Sequence, residues 1–175
     1  MYIRGHDRAG HPLLYMKPRL ENTNDHEGNM KHLVYTMERS CAITKKGNQK
    51  TEKISLLIDY EGFSLFNAPP MKTSTETLSI LQNHYPERLS KAYLIRPPFY
   101  FQIFWALICP FIDPITKEKI VFLSSDESQM LRELAADINP AVLEKAYGGG
   151  DDREFDSTVY LNGSFDKDFK GILDG

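Results

Sequence analysis

Two kinds of apolar spacing alternate along this chain and mark out its elements. Leu13-Leu14-Tyr15-Met16 is a short strand candidate, entered by a polar turn over Gly5-His6-Asp7-Arg8-Ala9-Gly10. Met30, Leu33, Val34, Met37 and Cys41 then repeat at the spacing of one helix face, and Lys45-Lys46-Gly47 supplies a C-terminal stop. In Lys53-Ile54-Ser55-Leu56-Leu57-Ile58-Asp59 the apolar run is nearly continuous, the mark of a strand covered on both faces. Pro69-Pro70 lead into a helix carrying Leu78, Leu81 and Tyr85, and Pro86 closes it. Ala92-Tyr93-Leu94-Ile95 and Ile120-Val121-Phe122-Leu123 follow as a third and a fourth interior strand. Ser124 and Glu127 have the spacing of a capping box, ahead of a helix with Met130, Leu131, Leu134 and Ile138 on one face.

This rhythm predicts an α/β fold: a mixed, largely parallel sheet covered by helices, with ligands near the carboxyl ends of the strands. Residues 1–150 form one domain on this reading. From Asp151 onward the chain is polar, with seven acidic against three basic residues. Within that 151–175 tail, Ser157-Thr158-Val159-Tyr160-Leu161 reads as a short extended piece, and the rest is expected to be mobile. The formal net charge is −3, so the body ahead of the tail is close to neutral, which excludes a strongly basic nucleic-acid binder. A hydrophobic content of 41%, with ten Phe and nine Tyr, supports a packed core rather than disorder.

Cys41 and Cys109 give neither a disulfide framework nor a metal pair, and Cys109, inside an apolar run, reads as a buried free thiol. The N-terminus is too polar for a signal peptide and no stretch reaches the ~18 apolar residues of a membrane span. A soluble, cytoplasmic protein is therefore expected, in which the sequon Asn162-Gly163-Ser164 has no consequence. Oligomeric state is not legible.

One segment stands out. Phe99-Tyr100-Phe101-Gln102-Ile103-Phe104-Trp105-Ala106-Leu107-Ile108-Cys109-Pro110-Phe111 has Gln102 as its one clearly polar side chain. A helix apolar on every side is either enclosed or faces something other than water. It is thus an interior helix, a lining for an apolar ligand, or a flap that touches membrane. The triple glycine Gly148-Gly149-Gly150 lacks the Lys and Ser or Thr of a phosphate loop and is followed by Asp151-Asp152, so a turn is expected there. The five histidines show no metal-ligand spacing. His84 with Glu87 suggests an acid–base pair, but no Ser or Cys sits in a nucleophile elbow, and no catalytic or metal site is predicted.

Several pieces are more specific. Ile80-Leu81-Gln82-Asn83-His84-Tyr85-Pro86-Glu87-Arg88-Leu89 and Pro110-Phe111-Ile112-Asp113-Pro114-Ile115-Thr116-Lys117-Glu118-Lys119-Ile120 strongly resemble the CRAL-TRIO lipid-binding domain, above all the secretory-pathway phosphatidylinositol-transfer proteins. Asp7-Arg8-Ala9-Gly10-His11-Pro12, Ile58-Asp59-Tyr60-Glu61-Gly62-Phe63-Ser64 and Tyr147-Gly148-Gly149 match in the same order.

The resemblance implies one lipid, with no other cofactor, held between the sheet and a mobile gate helix that opens at a membrane surface. Gate and cavity positions are Phe99, Phe101, Phe104, Trp105, Ile108 and Phe111. It implies headgroup contacts from Thr116 and Lys119, with Glu87 and Arg88 beside them, and Glu87 as a partner for Lys119 when no lipid is bound. A phosphodiester taken out of water needs such a cation and such donors. Members that also carry phosphatidylcholine use a Ser, a Thr and a Tyr where this chain has Ile54, Leu56 and Met37, a purely aliphatic cavity wall. Phosphatidylinositol is therefore the implied phospholipid and phosphatidylcholine a poor one. The helical lobe that usually precedes this domain is not in the sequence, which implies weaker headgroup contact. A lipid-sensing interaction domain without transfer is the alternative.

Overall fold

In the computed structural model, residues 1–20, 25–46, 52–64 and 70–162 are described. Five strands form one sheet in sequence order: β1 (Tyr2–His6), β2 (Pro12–Met16), β3 (Ile54–Asp59), β4 (Leu89–Ile95) and β5 (Ile120–Phe122). β1 runs antiparallel to β2, and the other three pairings are parallel. The crossovers carry α1 (His26–Lys46), α2 (Met71–His84), α3 (Phe101–Ile108) and the short α4 (Pro114–Glu118), and α5 (Glu127–Asp137) follows β5. The last helix is α6 (Ser157–Asn162). The predicted α/β architecture is the observed one.

Side-chain alternation along the strands gives the sheet two different faces. On one, Leu13, Tyr15, Leu57, Tyr93 and Ile95 pack against Met130 and Leu134 of α5 and against Ile138, Leu143 and Tyr147, all buried. On the other, Leu14, Ile54 and Leu56 meet Leu33, Met37 and Cys41 of α1, while Leu94 and Ile120 meet α3. The register sets Leu56 beside Ala92 and Ala92 beside Ile120, so a methyl group stands at the middle of this second floor.

Four local expectations are corrected. The turn over residues 5–10 is preceded by β1, which the sequence reading missed: Arg4, Gly5 and His6 break the apolar signal, and Gly5 takes a φ of +70°. β5 is an edge strand with Phe122 partly exposed, not an interior one. The cap of α5 is Asp126, whose carboxylate accepts from the Gln129 N–H at 2.7 Å. Ser124 instead accepts from the Asp126 N–H, so the Ser124–Glu127 box does not form. Ser157–Leu161 is helical rather than extended. Asp156 Oδ1 accepts from the N–H groups of Thr158 and Val159 at 2.8 and 3.1 Å, and this cap overrides the strand propensity of Thr158-Val159-Tyr160.

The described part of the tail lies against the body: Phe155 stacks on Tyr2 at 4.1 Å, and the Tyr160 hydroxyl accepts from the Ile3 N–H. Gly148 has φ +80°, and a Cβ on Gly149 would lie 2.0 Å from the Leu143 carbonyl oxygen, so the glycine run is a turn pressed against backbone. Gly47, Pro69, Gly163, Ser164 and the remaining tail fall outside the described residues.

Candidate functional site: a cavity between sheet and helices

The second face is not filled. A cavity of about 510 Å³ lies over it, walled by β3, β4 and β5 beneath and by α1, α2 and α3 around, and it reaches the β1–β2 side of the sheet, where Met1, Tyr2, Tyr15 and Lys17 also line it. Leu56, Ile58, Leu94 and Ile120 form its floor, and Leu78 and Leu81 of α2 face them.

α3 resolves the puzzle of an all-round apolar helix by dividing it. Phe101 is buried against Tyr60, with ring centroids 4.4 Å apart, and Phe104, Trp105 and Ile108 line the cavity. Trp105 meets Phe122 edge-on at 5.3 Å. The opposite face is open: Ile103, Leu107 and Phe111 are more than half exposed and Phe99 is 91% exposed. Phe99 and Phe111, like Phe101, do not line the cavity. Isolated apolar residues on a surface are ordinary, but a contiguous set of this kind is not.

Both ends of this segment are held by polar contacts. Before it, Arg96 takes a left-handed φ of 50° and pairs with the buried Asp59 at 2.8 Å and with Glu61 at 3.4 Å. Its guanidinium also lies over the Tyr147 ring, and Tyr147 donates to Asp59 at 3.2 Å. The Tyr100 hydroxyl donates to the Phe63 carbonyl. After it, the Gln82 side-chain amide donates to the Phe111 carbonyl at 2.8 Å. Tyr60 and Phe63 complete the socket under α3. Sequence reading quoted them within a motif but gave them no role, and the Gly62 turn (φ +68°) is what aims them.

Thr116 lies on the cavity wall, in α4, where its N–H donates to Asp113 at 2.8 Å. Hydrogen bonds from the Thr116 side chain and then from its backbone N–H hold the Asp113 carboxyl below the usual carboxylate range. Lys119 ends α4 just ahead of β5, half-buried, and its carbonyl accepts from the Ala92 N–H. Glu87 and Arg88 do not join them. Glu87 is exposed with φ 59°, and Arg88 pairs with Glu52. Glu87 and Lys119 form no ion pair among the described residues. Leu56 lines the cavity, whereas Ile54 and Met37 are buried in the packed cluster with Leu14 and Leu33. Of the residues read as a cavity wall, then, one reaches the cavity.

His84 and Glu87 both lie on the surface and no hydrogen bond joins them among the described residues. Cys109 is only half-buried, not the enclosed thiol expected, because the segment turns outward at its end. Among the described residues no helix is long and apolar enough to cross a membrane.

Comparisons with known proteins give the family and the fold. A family model described as the CRAL/TRIO domain matches residues 1–149. The phosphatidylinositol transfer protein PDR17 of Saccharomyces cerevisiae is 34% identical over 163 residues, covering 90% of this chain and 43% of the relative. The SEC14 cytosolic factor of Candida glabrata is 31% identical over 153 residues, covering 80% of this chain and 51% of the relative. The chain thus spans about half the length of these relatives. The crystal structure of Sfh5 shares the fold, with a TM-score of 0.61 at 22% identity over 76% of this chain and 50% of that one. With a filled face, a hollow face and a family match over residues 1–149, this chain belongs to the CRAL/TRIO domain family.

Proposed function

We propose that this protein binds one lipid in the cavity and passes it between membranes, and that phosphatidylinositol is its phospholipid. The observation that carries the reading is the apolar cavity under α3, with Thr116 on its wall and Lys119 at the end of the same short helix. Acyl chains would displace no well-held water from Leu56, Ile58 and Leu94, and their burial is favourable in proportion to area. A phosphate at the α4 end would gain the Lys119 ammonium and the Thr116 hydroxyl. α3 is the moving part, working from the cytoplasm and touching membrane through its open apolar face. The relatives named phosphatidylinositol transfer protein support the same ligand.

Native mass spectrometry after incubation with phosphatidylinositol vesicles tests this: one lipid per chain is expected, and protein that stays empty overturns it. Lys119→Ala should weaken phosphatidylinositol by on the order of 2–3 kcal/mol while the fold, followed by circular dichroism, is unchanged. Phosphatidylcholine, facing Leu56 where a hydroxyl would serve it, should move between vesicles much more slowly than phosphatidylinositol.

A further inference from the structure

The cavity has a far arm. Past Met16 it runs round the carboxyl end of β2 to Lys17, Tyr2 and Tyr15, and there Phe155, from the segment after the glycine turn, lines it. Phe155 stacks on Tyr2 at 4.1 Å and is 41% exposed, so its ring stands between the arm and water. α3 covers the opposite end, over Leu94 of β4 and Ile120 of β5. With neighbouring strands about 4.8 Å apart, β1 and β5 are separated by roughly 19 Å, so the two ends are remote from each other.

The segment around Phe155 is fixed at its base and lightly held beyond it. Asp151 is buried; its N–H donates to the Leu143 carbonyl at 3.0 Å and its carbonyl accepts from the Lys145 N–H at 2.7 Å. From Asp152 to Val159 every residue is exposed. Arg4 donates to the Arg153 and Glu154 carbonyls at 2.7 and 3.2 Å. The Tyr160 hydroxyl accepts from the Ile3 N–H at 3.1 Å, and its carbonyl accepts from Arg39 at 3.1 Å. Water can replace each of these partners, so each bond adds little net stability. Detachment leaves Arg4 beside Glu144 at 3.3 Å and gives water to the Arg39 guanidinium, which lies 4.0 Å from the Tyr160 ring centroid. A segment with so little buried apolar contact opens at far lower cost than the core. α3, by contrast, would have to withdraw the buried Phe101.

We propose that residues 154–161 are a detachable strap, with Phe155 as the stopper of the far arm, and that the cavity thereby has a second opening that works while α3 stays closed. The proposal rests on the cavity taking up apolar molecules. Swinging out about the fixed Asp151 carries Phe155 off Tyr2 and leaves Met1, Tyr2 and Lys17 as the rim of the arm. The Lys17 ammonium on that rim is already held by Glu144 at 2.8 Å, so a hydrocarbon passes without stripping water from an unpaired charge.

Diphenylhexatriene fluoresces in apolar surroundings and hardly at all in water, so its loss from the loaded full chain to excess methyl-β-cyclodextrin can be timed without membranes. Phe155→Ser, which removes the stacked ring, should speed that loss about tenfold. Tyr160→Phe removes the acceptor for the Ile3 N–H, away from the cavity wall, and should speed it about threefold. Val159→Ser, at an exposed position of the same strap, should leave it unchanged. Equal rates in the natural chain and in Phe155→Ser overturn the stopper and leave the lipid cavity standing. Faster loss from Phe155→Ser with no effect of Tyr160→Phe makes Phe155 a fixed wall and overturns the strap. Acceleration by Val159→Ser means general loosening and overturns it as well. A natural chain that takes up no probe overturns the lipid reading, and the second opening with it. Should Phe155→Ser fail to fold, Tyr160→Phe, which removes a single oxygen, carries the same comparison.

Discussion

Leu56 and Leu57 are neighbours on one strand and point into two different interiors. Leu57 is fully enclosed among Tyr15, Tyr93 and α5, whereas Leu56 has a packed cluster on one side and the cavity on the other. The contrast holds for the whole sheet. Its filled face has aromatic residues on β2 and β4, Tyr15 and Tyr93, and closes with Tyr147 and the buried Glu144, to which Tyr2 donates and which Arg4 and Lys17 pair. Its hollow face has Ala92 on the same β4 and is roofed by helices that stand off from it. One side of the sheet is built for stability, and the other forgoes contacts that a close-packed core would make.

The sharpest test substitutes the same residue type on each side. Leu57→Ala should cost about 2–5 kcal/mol in urea unfolding, because it opens a void in a closed core. Leu56→Ala should cost about 1 kcal/mol, since its cavity side already lacks partners. Equal losses would mean that the second face packs as tightly as the first. A smaller effect, on function rather than stability, separates the two sides of α3. Phe104→Asp, facing the cavity, should abolish lipid retention. Leu107→Asp, on the open side, should spare retention yet cut vesicle association about tenfold, read by co-flotation. If Leu107→Asp binds vesicles normally, the exposed face of α3 is not the membrane contact.

The smallest effect concerns acid. Arg153 hydrogen bonds hold the Asp151 carboxyl below the usual range on the filled side, as Thr116 does for Asp113 on the hollow side. A folded pKa below the unfolded value of about 3.9 gives stability that is present above that value and lost as pH falls through the lower, folded one. Stability should therefore decline below about pH 4, and Asp151→Asn should flatten part of that decline. Asp113→Asn should instead loosen α4, seen as faster lipid loss at neutral pH with little change in the urea midpoint.

Much of this was legible in the linear chain. The continuous apolar run of β3, the helical stripes of α1, α2 and α5, and the alternation between them imposed a largely parallel sheet, since burial on both faces leaves a period that few other arrangements satisfy. The Phe99–Phe111 segment was legible as apolar, but not its division into a face that lines the cavity and a face that is exposed. Where local signals competed, the reading failed: Asp156 turned a strand-like Ser157–Leu161 into a helix, and Asp126 took the cap from Ser124. Such choices depend on one hydrogen bond, which composition does not reveal.

The resemblance implied a hollow, but which residues wall it came only from the tertiary structure. Apolar periodicity says that Leu56, Ile54 and Met37 face inward, but the same pattern serves a residue in a packed cluster and a residue on a cavity wall. Which of them touches empty space is decided by how far α1, α2 and α3 stand from the sheet, a sum of packing distances between elements remote in sequence. The same holds for Arg88, drawn to Glu52 and away from Lys119. The chain's own order of residues determined that this protein has a sheet with two covered faces. Three-dimensional packing alone determined which residues of one of those faces border an open cavity.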